Sequence, residues 1–264
     1  RVLTGRIESG TLKTGQNLKA ISIDNELIEN FRVNKILAFR GLKQQAIDTA
    51  EAGDIVSLAG MSKATVADTI ADQSVEDPIP AQPIDPPTIT VTFGINDSPL
   101  AGRDGKKVQS RVIRDRLLKE CESNVAIKMV DTPGGEAFDV SGRGELQMGV
   151  LIENMRREGF ELSISRPRVI YKDVDGVKNE PIEEVTIDVD EEFSGAVIEK
   201  LSSRKGEMVD LKSSGSGKTR IIALIPSRGL IGYHSEFMTD TRGTGILNRV
   251  FHSWSPHKGS IAGR

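Results

Sequence analysis

The residues of this chain that come closest to a known chemical device are Ser214-Gly215-Ser216-Gly217-Lys218-Thr219. Gly-Lys-Thr closes a phosphate-binding loop, in which backbone amides wrap the phosphates and the lysine reaches the outer ones. That loop needs another glycine five residues before its second one, and Lys212 stands there. It must also open a helix whose amino end faces the phosphate, whereas this stretch joins two runs that read as strands. A flexible hairpin loop is the expected structure. The three histidines, His234, His252 and His257, have no frame of further Cys, His or acid ligands around them, so no zinc site is expected. Cys121 is the single cysteine. It excludes an internal disulfide, favours a reducing compartment, and has no nearby base in sequence to activate it. Ser141-Gly142-Arg143-Gly144-Glu145-Leu146 places glycines before a helix. It could receive an anion there, but a tight strand-to-helix connection is the simpler expectation.

Charge carries more. The net charge is −3, which gives no global argument for nucleic acid or membrane, yet the charges are segregated. Residues 173–192 hold nine acids and one base, while residues 199–264 hold eleven bases and five acids. The acids lie along a strand and a helix entry, where Asp190, Glu191 and Glu192 suit the positive end of the helix dipole, so no metal site is expected. The bases fall at element ends and loops. Arg204, Lys205, Lys218, Arg228 and Arg242, with His234 among them, are the candidates for phosphate contact. Charge alone does not separate such a surface from a solvated one. Aromatics are 4% of the chain, too few to expect large stacking platforms for single strands. No apolar run of about 18 residues exists, so no membrane span is expected, and no signal peptide is read.

These residues need positioning elements, and 264 residues suffice for two or three domains. Residues 1–76 read as a β-barrel of short strands with glycine turns. Strand candidates include Leu18–Ile23, Phe31–Phe39, Ile55–Ala59 and a closing Thr65–Ile70. Five prolines in residues 77–87 make an extended, semi-rigid linker. Residues 88–167 run strand, helix, strand, strand, helix, strand, the ferredoxin-like order. Their first helix puts Val112, Ile113, Leu117 and Cys121 on one face. Residues 168–179 read as a connector. Residues 180–257 repeat the ferredoxin-like order, with Leu230–Thr239 as second helix, and residues 258–264 lead out of the domain. The fold class is thus multidomain β plus α+β. The chain starts at Arg1 without methionine, so a longer parent is expected.

Thr4-Gly5-Arg6-Ile7-Glu8-Ser9-Gly10, followed by Leu12-Lys13-Thr14-Gly15, resembles the second-domain barrel of translational GTPases. Val140–Gln147 resembles the third domain of elongation factor G. Glu180-Pro181-Ile182-Glu183 and Arg204-Lys205-Gly206 resemble its fifth domain. Pro226-Ser227-Arg228-Gly229-Leu230-Ile231-Gly232-Tyr233 and Arg242-Gly243-Thr244-Gly245 look like the BipA/TypA family of ribosome-associated GTPases, in which the fifth-type domain follows the third directly.

The resemblance implies GTP and Mg²⁺ in a G domain that this segment lacks. It carries no complete phosphate loop and no Asn-Lys-x-Asp string. Asp131-Thr132-Pro133-Gly134 matches the Mg²⁺-holding letters only. No catalytic, cofactor or metal residues are therefore expected here. The implied partners are ribosomal RNA and proteins, the G domain, and tRNA through a C-terminal domain beginning near residue 260. The implied setting is a cytoplasmic monomer serving large-subunit assembly and cold or stress adaptation. The rivals are a generic protein-interaction scaffold and a nucleotide-binding enzyme using Ser214–Thr219.

Overall fold

The structure, a computed structural model, describes residues 2–82, 84–213, 215 and 217–261. The chain divides into two compact units, residues 1–84 and 85–264.

The first unit is built of short antiparallel strands. They are β1 (Val2–Arg6), β2 (Thr11–Lys13), β3 (Asn17–Ile21), β4 (Leu27–Arg32), β5 (Lys35–Arg40), β6 (Lys43–Ile47), β7 (Thr49–Glu51), β8 (Ile55–Ala59) and β9 (Thr69–Ala71). They pair as three ladders, β1-β8-β5-β6, β4-β3-β9 and β2-β7. Leu18, Ala20, Phe31, Ile36, Val56 and Leu58 fill the core. The stretch Phe31–Phe39, expected as one strand, is β4 and β5. Between them Val33 donates to the Gln16 carbonyl and Asn34 to that of Ala59, so the chain changes ladder there. The closing strand starts only at Thr69, because the Asp68 carboxylate accepts from the Thr65 amide at 2.6 Å and makes residues 65–68 a turn. Gly60, at φ +137°, lies where a Cβ would collide with the Arg32 carbonyl, so this crossing requires glycine. Glu29 pins the same corner. Desolvation opposes its ionisation, but the Ala64, Lys63 and Ser62 amides and the Ser62 hydroxyl outweigh it and lower its pKa to about 2.

The second unit holds two successive halves. The leading half comprises β10 (Ile89–Ile95), α1 (Ser110–Ser123), β11 (Lys128–Asp131), β12 (Ala137–Gly142), α2 (Glu145–Arg157), β13 (Leu162–Ile164) and β14 (Arg168–Val169). The sheet order is β11-β12-β10-β13, with β14 also on β10, all antiparallel. Alternation along β10 sends Ile89, Val91 and Phe93 to one face, where they meet Ile113 and Leu117 of α1 and Met148, Leu151 and Met155 of α2. Val112, expected on the inner face of α1, is 37% exposed. It lies one residue, about 100° of turn, from buried Ile113.

The trailing half comprises β15 (Lys172–Val174), β16 (Val177–Asp190), α3 (Glu191–Ser203), β17 (Glu207–Ser213), β18 (Lys218–Pro226), α4 (Ser227–Leu230), α5 (Tyr233–Asp240) and β19 (Ile246–Pro256). The sheet order is β15-β16-β18-β17, with β19 on the other side of β16. Val185, Ile187, Val189, Ile221 and Ile225 pack under Val197 and Leu201 of α3 and Tyr233 and Phe237 of α5.

Two expectations change. Residues 168–179, read as a connector, are strands: β14 extends the leading sheet at Ile89 and Thr90, and β15 forms a ribbon with the start of β16. The helix expected over Leu230–Thr239 is two helices. Gly232 at φ +71° breaks it, and Ile231, released from the helix, packs against the core of the leading half. A joint forms there: the Gly232 amide donates to Glu145 Oε2 at 3.2 Å.

Candidate nucleic-acid interface

The acidic run and the basic run find each other in three dimensions. β16 carries Glu180, Glu183, Asp188 and Asp190, and each meets a base from beyond residue 199. Arg228 lies against Glu180, Arg249 Nε is 3.6 Å from Glu183, Arg220 Nε is 2.7 Å from Asp188, and Lys218 Nζ is 3.8 Å from Asp190. Strand pairing explains it. β18 and β19 flank β16, so Arg220 stands opposite Asp188 and Lys218 opposite Asp190. Across the helices, Lys200 Nζ reaches Glu236 at 2.6 Å and Asp240 at 2.7 Å, and Arg204 reaches Glu236 at 2.5 Å.

This pairing decides two of the six candidate residues. Arg228 is turned inward. Its guanidinium grips the 1%-exposed Glu180 carboxylate through both oxygens and donates to the Gly259 carbonyl at 2.5 Å. Burial opposes ionisation of Glu180. Its hydrogen bonds from Arg228 and from the Lys258 amide outweigh that and hold it below the usual carboxylate range. Arg204 is turned inward too. It donates to the Gly229 carbonyl at 2.8 Å and lies 4.9 Å from the Tyr233 ring centre. Burial pushes the Tyr233 phenol up to about 12. Both arginines, expected as RNA contacts, are engaged internally, and a guanidinium with both edges bonded internally has little left for a phosphate.

The other four remain at the surface, at two ends of the trailing half. Lys205 is exposed, in the left-handed conformation at φ +67° where α3 stops, and exposed His234 starts α5 near Arg204. Lys218 and Arg242 lie at the opposite end. Lys218 faces Asp190, and Arg242 stands over the Phe193 ring at 5.5 Å. α3, with 13 residues, separates these ends by about 20 Å. The six do not form one patch.

The other chemical candidates resolve structurally. Lys218 and Thr219 open the strand β18, and Thr219 is buried opposite Val189; no helix follows to face a phosphate. Ser214 and Ser216 of that loop lie outside the described residues. Asp131 is held by Arg114 through two hydrogen bonds at 2.9 and 3.0 Å. Burial pushes the half-buried Cys121 thiol up, away from reactivity. The glycines of Ser141–Leu146 lie under the tips of flexible side chains, with the Arg249 guanidinium beside Gly144 and the Met148 methyl beside Gly142. Among the described residues no cluster of His, Cys, Asp and Glu could hold a metal ion, and no helix is long and apolar enough to cross a membrane. Sequence reasoning missed Glu180 as an anchor. Its neighbours, Lys178-Asn179 before it and Glu183-Glu184 after Pro181-Ile182, are polar and carry no local signal for that role.

Comparison with known proteins agrees with this architecture. Residues 1–71 match the model of elongation factor Tu domain 2, and residues 177–264 match that of the elongation factor G C-terminus. The chain is 47% identical to the large ribosomal subunit assembly factor BipA of Bacillus subtilis, over all of this chain and 43% of that protein. It is 46% identical to the protein of that name from Haemophilus influenzae, over 98% of this chain and 42% of the relative. For that of Escherichia coli K12 the identity is 47%, over 94% and 40%. The chain thus spans less than half the length of the curated relatives it matches. With both family models falling on separate stretches and the relatives running across both, the chain belongs to the BipA/TypA family of translational GTPases.

Proposed function

We propose that this chain is the ribosome-docking portion of a large-subunit assembly factor. The observation that carries this is the 47% identity, sustained along the whole chain, to a protein named for large ribosomal subunit assembly. The first unit is the domain II type barrel. The leading and trailing halves are ferredoxin-like domains of the third and fifth types of elongation factor G. The barrel contacts the G domain of the parent protein, where GTP and Mg²⁺ act; this segment binds neither. The third-type half relays geometry, and ribosomal RNA and proteins are the partners, with tRNA reached through a further C-terminal domain. The protein works as a cytoplasmic monomer, and its assembly role supports growth in cold or stress.

In the fifth-type half, Lys205 and His234 at one end, and Lys218 and Arg242 at the other, are the surface residues left for RNA contact. Co-sedimentation of the full-length protein with purified large subunits tests the proposal. Binding should fall steeply as salt rises from about 50 to 200 mM, because displaced counterions drive phosphate contacts. Absence of binding, or binding indifferent to salt, would overturn it. Micromolar GTP or ATP binding by residues 1–264 alone would instead favour the enzyme reading.

A further inference from the structure

We infer that the leading half carries its own RNA-backbone docking edge, made of the loop between β10 and α1 and the first turn of α1. Arg103, Lys106 and Arg111 are its phosphate contacts. This rests on the ribosomal reading above and places the contact where the sequence did not point.

The first observation is the state of the charges. Arg103, Lys106 and Arg111 are exposed, and none of them has an ion-pair partner among the described residues. In the trailing half six bases, Lys200, Arg204, Lys218, Arg220, Arg228 and Arg249, are paired with acids of β16 and α5. An unpaired surface cation keeps its full field for a polyanion and needs no internal bond broken before contact. Residues 97–111 hold four bases and two acids.

The second observation is that the loop is built, although every side chain from Asp97 to Asp104 is exposed. One carboxylate organises it. Glu161 Oε2 accepts from the amides of Gly102, Asp104 and Gly105 at 3.0, 3.2 and 3.0 Å, and Oε1 accepts from Asn96 Nδ2 at 2.5 Å. A Cβ on Gly105 would meet the Gly159 carbonyl at 2.8 Å, so the backbone lies flat on residues 159–161. Lys107 is fixed by a backbone bond to Gly159 at 3.1 Å, and its ammonium sits 4.6 Å from the Phe160 ring centre. Such a loop presents its cations with little ordering cost on binding.

The third observation is composition. Around the three cations the loop shows Ser98, Gly102, Asp104 and Gln109; its exposed apolar residues are Pro99, Leu100 and Ala101, with no aromatic among them. Protein interfaces concentrate aromatic and apolar anchors and are poor in lysine. Phosphate-contacting surfaces are made of arginine, lysine and polar backbone. Charge and composition together fit an RNA backbone.

The test uses the full-length protein with purified large subunits and with protein-free large-subunit RNA. The triple variant Arg103→Glu, Lys106→Glu, Arg111→Glu should bind both about 10–100-fold more weakly. Its salt slope should drop by about 2–3, one for each lost contact. The triple glutamine variant should lie between it and wild type. Leu100→Ser should bind as wild type does. Unchanged circular dichroism and melting temperature in all three establish that the fold is intact. Wild-type binding with an unchanged slope in the triple glutamate variant overturns this inference and leaves the ribosomal reading standing. No wild-type binding overturns both. Loss of subunit binding without any wild-type affinity for free RNA, or a loss with Leu100→Ser, assigns the edge to a ribosomal protein and overturns the RNA assignment.

Discussion

The leading and trailing halves of the second unit share one order of strands and helices and use their charges in opposite ways. In the trailing half the acids of β16 sit between two strands that bring bases to them, and burial follows: Glu180 and Glu183 are 1% and 5% exposed at their side chains. In the leading half the central strand β10 carries threonines on its open face. Thr90 bonds Ser141 at 2.7 Å and Thr92 bonds Asp139 at 2.6 Å, so hydroxyls do the cross-strand work that ion pairs do in the other half. Most bases of the leading half lie on α1, α2 and the loops, where some pair on the helix surface and others stay open; Arg168 of β14 is an exception, reaching Asp139 across β10 at 3.3 Å. Similar topology therefore does not imply similar surfaces. A count of lysine and arginine along the chain does not separate paired from open cations, because it ignores which acids lie across the sheet.

The sharpest way to break the contrast is to remove Glu180. Glu180→Gln leaves the Arg228 guanidinium largely buried without a counter-charge and weakens the acceptor that holds the Lys258 amide. Losing one member of a buried pair costs about 3–5 kcal/mol. Trp254, the single tryptophan, lies beside this site on β19, opposite Pro181, and its fluorescence during urea unfolding reports the loss. A cost below about 1 kcal/mol would mean the pair is not structural. Next comes Gly229→Ala. The added methyl would stand 2.8 Å from the Arg204 carbonyl, an overpacking worth about 1–3 kcal/mol. The same urea titration measures it, and a variant as stable as wild type would mean that α4 approaches the end of α3 with room for a methyl group.

Much of this was legible in the residues. Period-two alternation in Ile89–Ile95 and Val185–Val189 gives strands and their inner faces, and five prolines mark the boundary near residue 84. What escaped was long-range. Nothing local reveals that Ile231 leaves its helix to join another core. The ribbon of Lys172–Val174 with Val177–Asn179 is the local exception, legible in its Asp175-Gly176 turn, which takes φ +54° and +78°. The family-like string Pro226–Tyr233 contains Arg228, one of the candidates for RNA contact. Its arginine and glycines instead serve a clamp: Arg228 on Glu180, Gly229 under Arg204, Gly232 on Glu145. Partners from 48 and 87 residues away in sequence decide these roles, and no window around the string contains them.

Acid offers a smaller, graded test of the trailing half's own pairs. Hydrogen bonds from Arg220 to Asp188 and from Lys200 to Glu236 hold both carboxyls below their ordinary values, as Arg228 helps to do for Glu180. A carboxyl whose folded pKa is depressed adds stability that is complete above its unfolded value, about 4, and lost as pH falls through the folded one. Urea midpoints read by Trp254 should thus hold from about pH 7 to 5 and drop below about pH 4. Glu180→Gln should flatten that drop by removing its most buried contributor. A drop of the same size in the variant would place the acid sensitivity elsewhere.

The smallest expected effect is the most discriminating. Arg103→Ala and Lys106→Ala each remove an exposed cation with no ion-pair partner among the described residues. Stability should therefore stay within about 0.5 kcal/mol of wild type. Arg204→Ala deletes a cation bonded to both Glu236 and the Gly229 carbonyl, so it should destabilise by about 1–3 kcal/mol. Ribosome binding should rank the other way: weaker for the two loop variants and, per folded molecule, unchanged for Arg204→Ala. If the loop variants instead lose stability, Arg103 and Lys106 have internal work. The opposition between paired and open cations would then dissolve. If stability holds and binding falls, the same two measurements separate a charge that builds the fold from one that the fold displays.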